Sequence, residues 1–263
     1  MNTRSQLWCV WCGPAFFVIW FVGLWLLAGF VPPVSPAVGP DLIAARFRDD
    51  NASIRVGLFL CMAASALLGP FVAVFSTQLK RIEGRNSPIA STQLILGALL
   101  ILLLVFPMMF LEAAAYRPER APSEIQLLSD LGWIPFIGVY CTVLVQWLVT
   151  GLLILRDDGE RPIFPRWSGY FNIWLAVMDL GGSFIYYTRG GAFAWDGLFA
   201  FWIPLTVFAL WVLVNAWLLH RAVRREADAP DPDSPSPELA TLAAEIRRLR
   251  DELARVVGDR GHS

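Results

Sequence analysis

Asp179 has the most chemistry to offer, because of where it stands. The stretch Trp167–Asp196 reads WSGYFNIWLAVMDLGGSFIYYTRGGAFAWD, and its middle is one apolar run long enough to cross a bilayer. Asp179 falls near the centre of that run and is followed by Leu180, Gly181 and Gly182. A carboxylate at mid-membrane depth is costly unless it is paired, protonated or facing water. On a helix turning about 100° per residue, Asn172, Ala176, Asp179, Ser183 and Tyr186 project within about 40° of one direction. Trp174, Leu175, Met178 and Phe184 take the opposite face, so the polar stripe is expected to turn inward. The glycine pair lowers helix propensity by about 1 kcal/mol per residue and permits close approach or a break.

Two other apolar runs carry amides. Gln146 lies at a depth similar to that of Asp179, with Thr142 and Thr150 one turn to either side, and Asn215 lies nearer the cytoplasm. Depth makes Gln146 or Thr142 the expected partner of Asp179. Two readings of the acid stand. It is a proton or cation site, the polar centre of a substrate cavity; or it is a protonated carboxyl donating one interhelical hydrogen bond worth about 1 kcal/mol. No basic side chain falls at its depth.

The remaining candidates carry less. Cys9 and Cys12 form a C-x-x-C, but a redox role needs a helix N-terminus that lowers a thiol pKa, and a metal site needs a second pair. They read as packing residues, as do Cys61 and Cys141. Two histidines, His220 and His262, are too few for a haem or a multi-histidine metal site. Asp157, Asp158 and Glu160 form a solvated turn with too few oxygen ligands for calcium. There is no H-E-x-x-H, no serine elbow and no paired carboxylate on one span. The expectation is a non-enzymatic chain without metal or cofactor. A net charge of −1 points away from nucleic acid.

The elements that must position these residues follow from composition. Of 263 residues, 56% are hydrophobic and only 16% charged, against about a quarter charged in soluble domains. The fold class is an all-α membrane protein, with the lipid bilayer as its partner. Six runs have the roughly 20 apolar residues that a span requires: Trp8–Phe30, Val56–Thr77, Leu94–Leu111, Ile134–Leu155, Gly169–Tyr187 and Leu198–Leu219. Arg4, Lys80, Arg81, Arg85, Arg156, Arg161, Arg166, Arg221, Arg224 and Arg225 occupy one set of connections. Arg46, Arg48, Arg55, Arg117, Arg120 and Arg189 occupy the other, diluted by acids. The bias puts both termini in the cytoplasm of a bacterial cell membrane.

On the external side, Asp41 is expected to cap a short helix with Leu42, Ile43 and Phe47 on its apolar side. Such a helix lies on the membrane surface or forms a lid over a cavity. Ser123 is expected to cap a second one, whose Ile125, Leu127 and Leu128 rest on the surface. Glu112 reads as an interfacial carboxylate paired with Arg117 or Arg120.

The six-helix domain spans 1–225, and residues 226–237 are an acidic, Pro-rich linker. Residues 238–258 then repeat apolar side chains at Leu239, Leu242, Ile246, Leu249, Leu253 and Val256, the seam of a coiled coil. Self-association through this helix makes a homo-oligomer, the mark of a scaffold or accessory subunit. The alternatives are a small transporter or permeation protein centred on Asp179 and, more weakly, a membrane enzyme acting on lipids. Three phrases, AYRPERAPSE at 115–124, PIFPRWSGYFNIW at 162–174 and TRGGAFAWDGLFAFWIP at 188–204, resemble an uncharacterised family of bacterial six-span integral membrane proteins. The resemblance implies the six-span fold and carries no activity or functional residue.

Overall fold

The apolar runs form helices whose lengths are set by prolines and glycines at their ends. In the computed structural model, residues 3–228, 245–248 and 250 are described, and no strand occurs among them. The chain divides into two units, Met1–Arg224 and Arg225–Ser263.

In the first unit, α1 (Thr3–Phe21) continues through wide π-type turns from Val22 to Leu27. Helix α2 (Pro40–Asp49) leads into α3 (Asn51–Ser65), and a tight turn at Ala66–Leu67 links this to α4 (Leu68–Glu83). Then come α5 (Pro88–Tyr116), α6 (Pro122–Gly138) and α7 (Cys141–Leu155). Helix α8 (Arg166–Met178) tightens into a 3-10 helix from Asp179 to Tyr186. A π-type turn, Leu198–Trp202, opens α9 (Ile203–Ala227), which runs past the end of the first unit. Five helical stretches are long and apolar enough to cross a membrane: Thr3–Leu27, Asn51–Glu83, Pro88–Tyr116, Pro122–Leu155 and Leu198–Ala227. Each leaves large apolar side chains such as Val18, Phe59, Leu102, Leu152 and Leu213 exposed, as a lipid-facing surface does.

The end of the bundle that carries α2 is tied by side chains to helix-terminal carbonyls. Such carbonyls lack intrahelical partners, and cations suit the negative end of a helix dipole. Arg46 donates to Ala28 O (3.4 Å) and Gly29 O (3.1 Å), just past the π-type extension of α1. Asn51 Nδ2 donates to Ala115 O (2.7 Å) and Arg120 to Ala113 O (2.9 Å), closing α5. Arg48 reaches across to Pro118 O (2.7 Å) and Arg120 O (2.9 Å).

Several local expectations are corrected here. Helix α2 starts at Pro40 with Gly39 as its cap, so Asp41 lies inside the first turn. Its apolar side is Ile43, Ala44 and Phe47, whereas Leu42 is exposed. Phe47 packs edge-on to Phe30, which meets Trp133. The Pro122 segment is no surface helix. It is the first part of a rod, α6–α7, that bends at Val139–Tyr140, beyond Pro135. Ile125 is therefore fully buried, and the cap is Ala121 rather than Ser123, with Glu124 accepting from its amide (3.3 Å). Glu112 pairs not with Arg117 or Arg120 but with Arg55 of α3, at 2.9 Å. Arg120 is turned to its helix-end carbonyl, and Arg55 also lies over the Tyr116 ring.

In the second unit, residues 245–248 are helical and Ile246 is 59% exposed. The other seam residues, Leu239, Leu242, Leu249, Leu253 and Val256, lie outside the described residues, as do most of the linker and His262.

Candidate functional site

Asp179 stands where α8 changes winding. A 3-10 helix has three residues per turn, so it rotates about 20° per residue more than an α-helix. Ser183, four residues on, is thus displaced by about 80° from the face an α-helix would give it, and Tyr186 by about 140°. The predicted stripe accordingly divides. Asn172 is fully buried, Ser183 Oγ turns back to Leu180 O (2.6 Å), and Tyr186 is 55% exposed with its hydroxyl over Gly138.

The glycine pair is what lets the tightened segment in. A Cβ on Gly182 would come within 2.7 Å of Ile137 O at the end of α6. One on Gly181 would meet Phe199 O in the π-type turn. The segment is therefore wedged, backbone to backbone, between two irregular stretches. Wide helical turns of this kind occur often beside functional sites.

Asp179 lines a cavity of about 110 Å³ at this level. The rest of the wall is apolar: Phe17 and Trp20 from α1, Leu100, Leu103 and Leu104 from α5, Phe136, Ile137 and Val139 from the bend, Val143 from α7, and Ala200, Phe201, Pro204, Leu205 and Phe208 from the last span. Asp179 is the only ionisable residue in that wall. Its backbone amide bonds back into α8, but among the described residues its carboxylate has no hydrogen-bond or ion-pair partner. Trp20 Nε1, from another wall residue, is buried and unpartnered.

The expected bond from Gln146 or Thr142 to Asp179 is not formed. Both polar atoms of Gln146 and Thr142 Oγ1 are buried without partners. Thr150 Oγ1 instead donates to the Gln146 carbonyl (2.8 Å). Gln146 faces α5: a Cβ on Gly97 would lie 2.8 Å from its Nε2. Asn172 belongs to a separate network. It accepts from Trp211 Nε1 at 3.1 Å and donates to Asn215 Oδ1 at 3.4 Å. Trp211 stacks on Trp147, with centroids 5.6 Å apart and planes 22° from parallel.

Two features escaped the sequence reading. The aromatic wall of the cavity comes from three separate runs, and nothing in one run says which of its faces converge. Gln93 is fully buried with both amide atoms unpartnered. It stands one residue before the predicted start of the third span, and a lone amide beside an apolar run was a usable signal.

Among the described residues, no group of three or more His, Cys, Asp or Glu side chains converges as a metal site would require. Cys9 and Cys12 are partly buried free thiols. Comparison with known families, curated proteins and solved structures finds no match.

Proposed function

We propose that this chain is a six-span integral membrane protein with both termini cytoplasmic, and that it binds and passes a small cationic solute at Asp179. Arg166–Tyr186 is the sixth span, added to the five long apolar helices. The observation that carries the reading is the placement of one unpartnered carboxylate in the wall of an otherwise apolar, aromatic cavity. Such a wall suits a monovalent cation with a small apolar body. The carboxylate supplies the counter-charge, and the faces of Trp20, Phe136, Phe201 and Phe208 supply attraction to positive charge and to hydrocarbon. The volume limits the ligand, since an engineered apolar cavity of about 150 Å³ admits benzene and little more. A short alkylammonium is the size that fits. The heptad seam from Leu239 to Val256 adds self-association to this reading.

The test is uptake of a labelled short alkylammonium into proteoliposomes. Asp179→Asn keeps the shape and removes the charge, and it should abolish saturable uptake while the protein remains folded by circular dichroism. Uptake by Asp179→Leu at the rate of the unaltered chain would sink the reading.

A further inference from the structure

Two orphaned amides and one orphaned hydroxyl stand on α5 and α7, the helices that supply Leu100 and Val143 to the cavity wall. Thr142 and Gln146 are one turn apart on α7, and Val143 between them is part of the cavity wall. Gly97 of α5, against which Gln146 rests, is one turn from the wall residue Leu100 and one turn from Gln93. Five buried polar atoms without protein partners therefore follow one another away from Asp179: Thr142 Oγ1, both of Gln146 and both of Gln93. At about 1.5 Å per residue, Gln93 is some 8 Å inside the start of α5, and Gln146 about 13 Å from the end of α7. Asp179 is about 20 Å from the start of α8, so the series climbs from the end opposite α2 to mid-bundle. Lipid offers such groups no partner, and a fully buried amide without one is costly.

The same end is closed by an aromatic plug. Phe164, in the loop between α7 and α8, is 1% exposed and meets Phe75 edge-on at 5.9 Å. Phe75 in turn contacts Trp211, which stacks on Trp147 beside Gln146. The loop is held in place by Asp157, whose Oδ2 accepts from Ile163 N at 2.8 Å.

We infer that Thr142, Gln146 and Gln93 line a water-filled path from the Asp179 cavity to the Phe164 end of the bundle, with Phe164 as its gate. Water supplies the missing hydrogen bonds, each molecule needing two to four polar partners of the kind these side chains offer. The inference deepens the cation reading by naming the side from which solute reaches Asp179, but it stands on the amides and not on the acid.

The experiment introduces Gln146→Cys and Gln93→Cys singly into a full-length chain whose four native cysteines are replaced by serine. Both are treated in proteoliposomes with a small positively charged methanethiosulfonate, with Leu99→Cys, on an exposed face of α5, as the lipid-side control. The reagent should modify Gln146→Cys and Gln93→Cys, and only when applied from the Phe164 side. Adding Phe164→Ala should raise both rates by about tenfold or more, the scale set by losing a buried ring's hold on the closed state. Rates no faster than that of Leu99→Cys, with and without Phe164→Ala, would show the path to be dry and overturn the inference. Modification without saturable uptake would leave the path standing and fell the cation reading; uptake with unreactive thiols would do the reverse.

Discussion

Replacing Asn172 by leucine tests the packing around the site most directly. Leucine keeps the branching and heavy-atom count of Asn172, with bulkier methyl groups, so the change removes the hydrogen bonds without opening a cavity. Asn172 accepts from Trp211 Nε1 at 3.1 Å, a normal bond, and reaches Asn215 Oδ1 only at 3.4 Å, a weak one. Interhelical bonds in membranes are worth about 0.6 kcal/mol on average and up to about 1.7. The larger cost is what stays behind: the buried indole N–H loses its partner, at about 1–3 kcal/mol, and Asn215 Oδ1 loses a weak one. Asn215 keeps its bond to Trp211 O at 2.8 Å and stays oriented. The sum is a destabilisation of about 2–5 kcal/mol. Reversible unfolding in mixed micelles, titrated with a denaturing detergent and followed by circular dichroism, measures it. The decisive arm is a double-mutant cycle with Trp211→Phe, which removes the donor. In that background Asn172→Leu should cost at least about 1 kcal/mol less. Additive effects, or a single-variant cost under about 0.5 kcal/mol, would refute this account of the buried network.

Two further outcomes can be measured, one set by the geometry and one by the heptad pattern of the sequence. Gly182→Ala places a methyl 2.7 Å from Ile137 O, backbone that yields poorly, and should destabilise the protein by about 1–3 kcal/mol in the same titration. Removing residues 226–263 should reduce cross-linked oligomers in native membranes to monomer; an unchanged ladder would mean that the heptad seam does not carry self-association.

Helix content was legible because long apolar runs without charge leave the chain no other way to satisfy its backbone in lipid. Their ends were less legible. Helix α5 runs from Pro88 to Tyr116, well beyond the predicted Leu94–Leu111, because polar residues at span ends continue a helix as readily as they leave one. Asp179 stood out in the sequence as an acid in an apolar run, and it lines a cavity with an otherwise apolar wall, but the companions expected for it are placed elsewhere. The stripe from Asn172 to Tyr186 assumed one winding throughout, and the 3-10 segment turns Ser183 and Tyr186 away. Depth suggested Gln146 as a partner, but depth fixes only one coordinate. The missing one is rotation about the helix axis, set by contacts such as Gly97 against Gln146 that join distant parts of the chain.

The tightened winding at Asp179 also changes how far the chain reaches. An α-helix rises about 1.5 Å per residue and a 3-10 helix about 2.0 Å. The 13 residues of α8 and the eight from Asp179 to Tyr186 therefore extend about 35 Å together, some 4 Å more than 21 residues of plain α-helix. On the six-span arrangement proposed above, and against a hydrocarbon core of about 30 Å, that surplus would let a segment interrupted by two glycines cross with room for tilt.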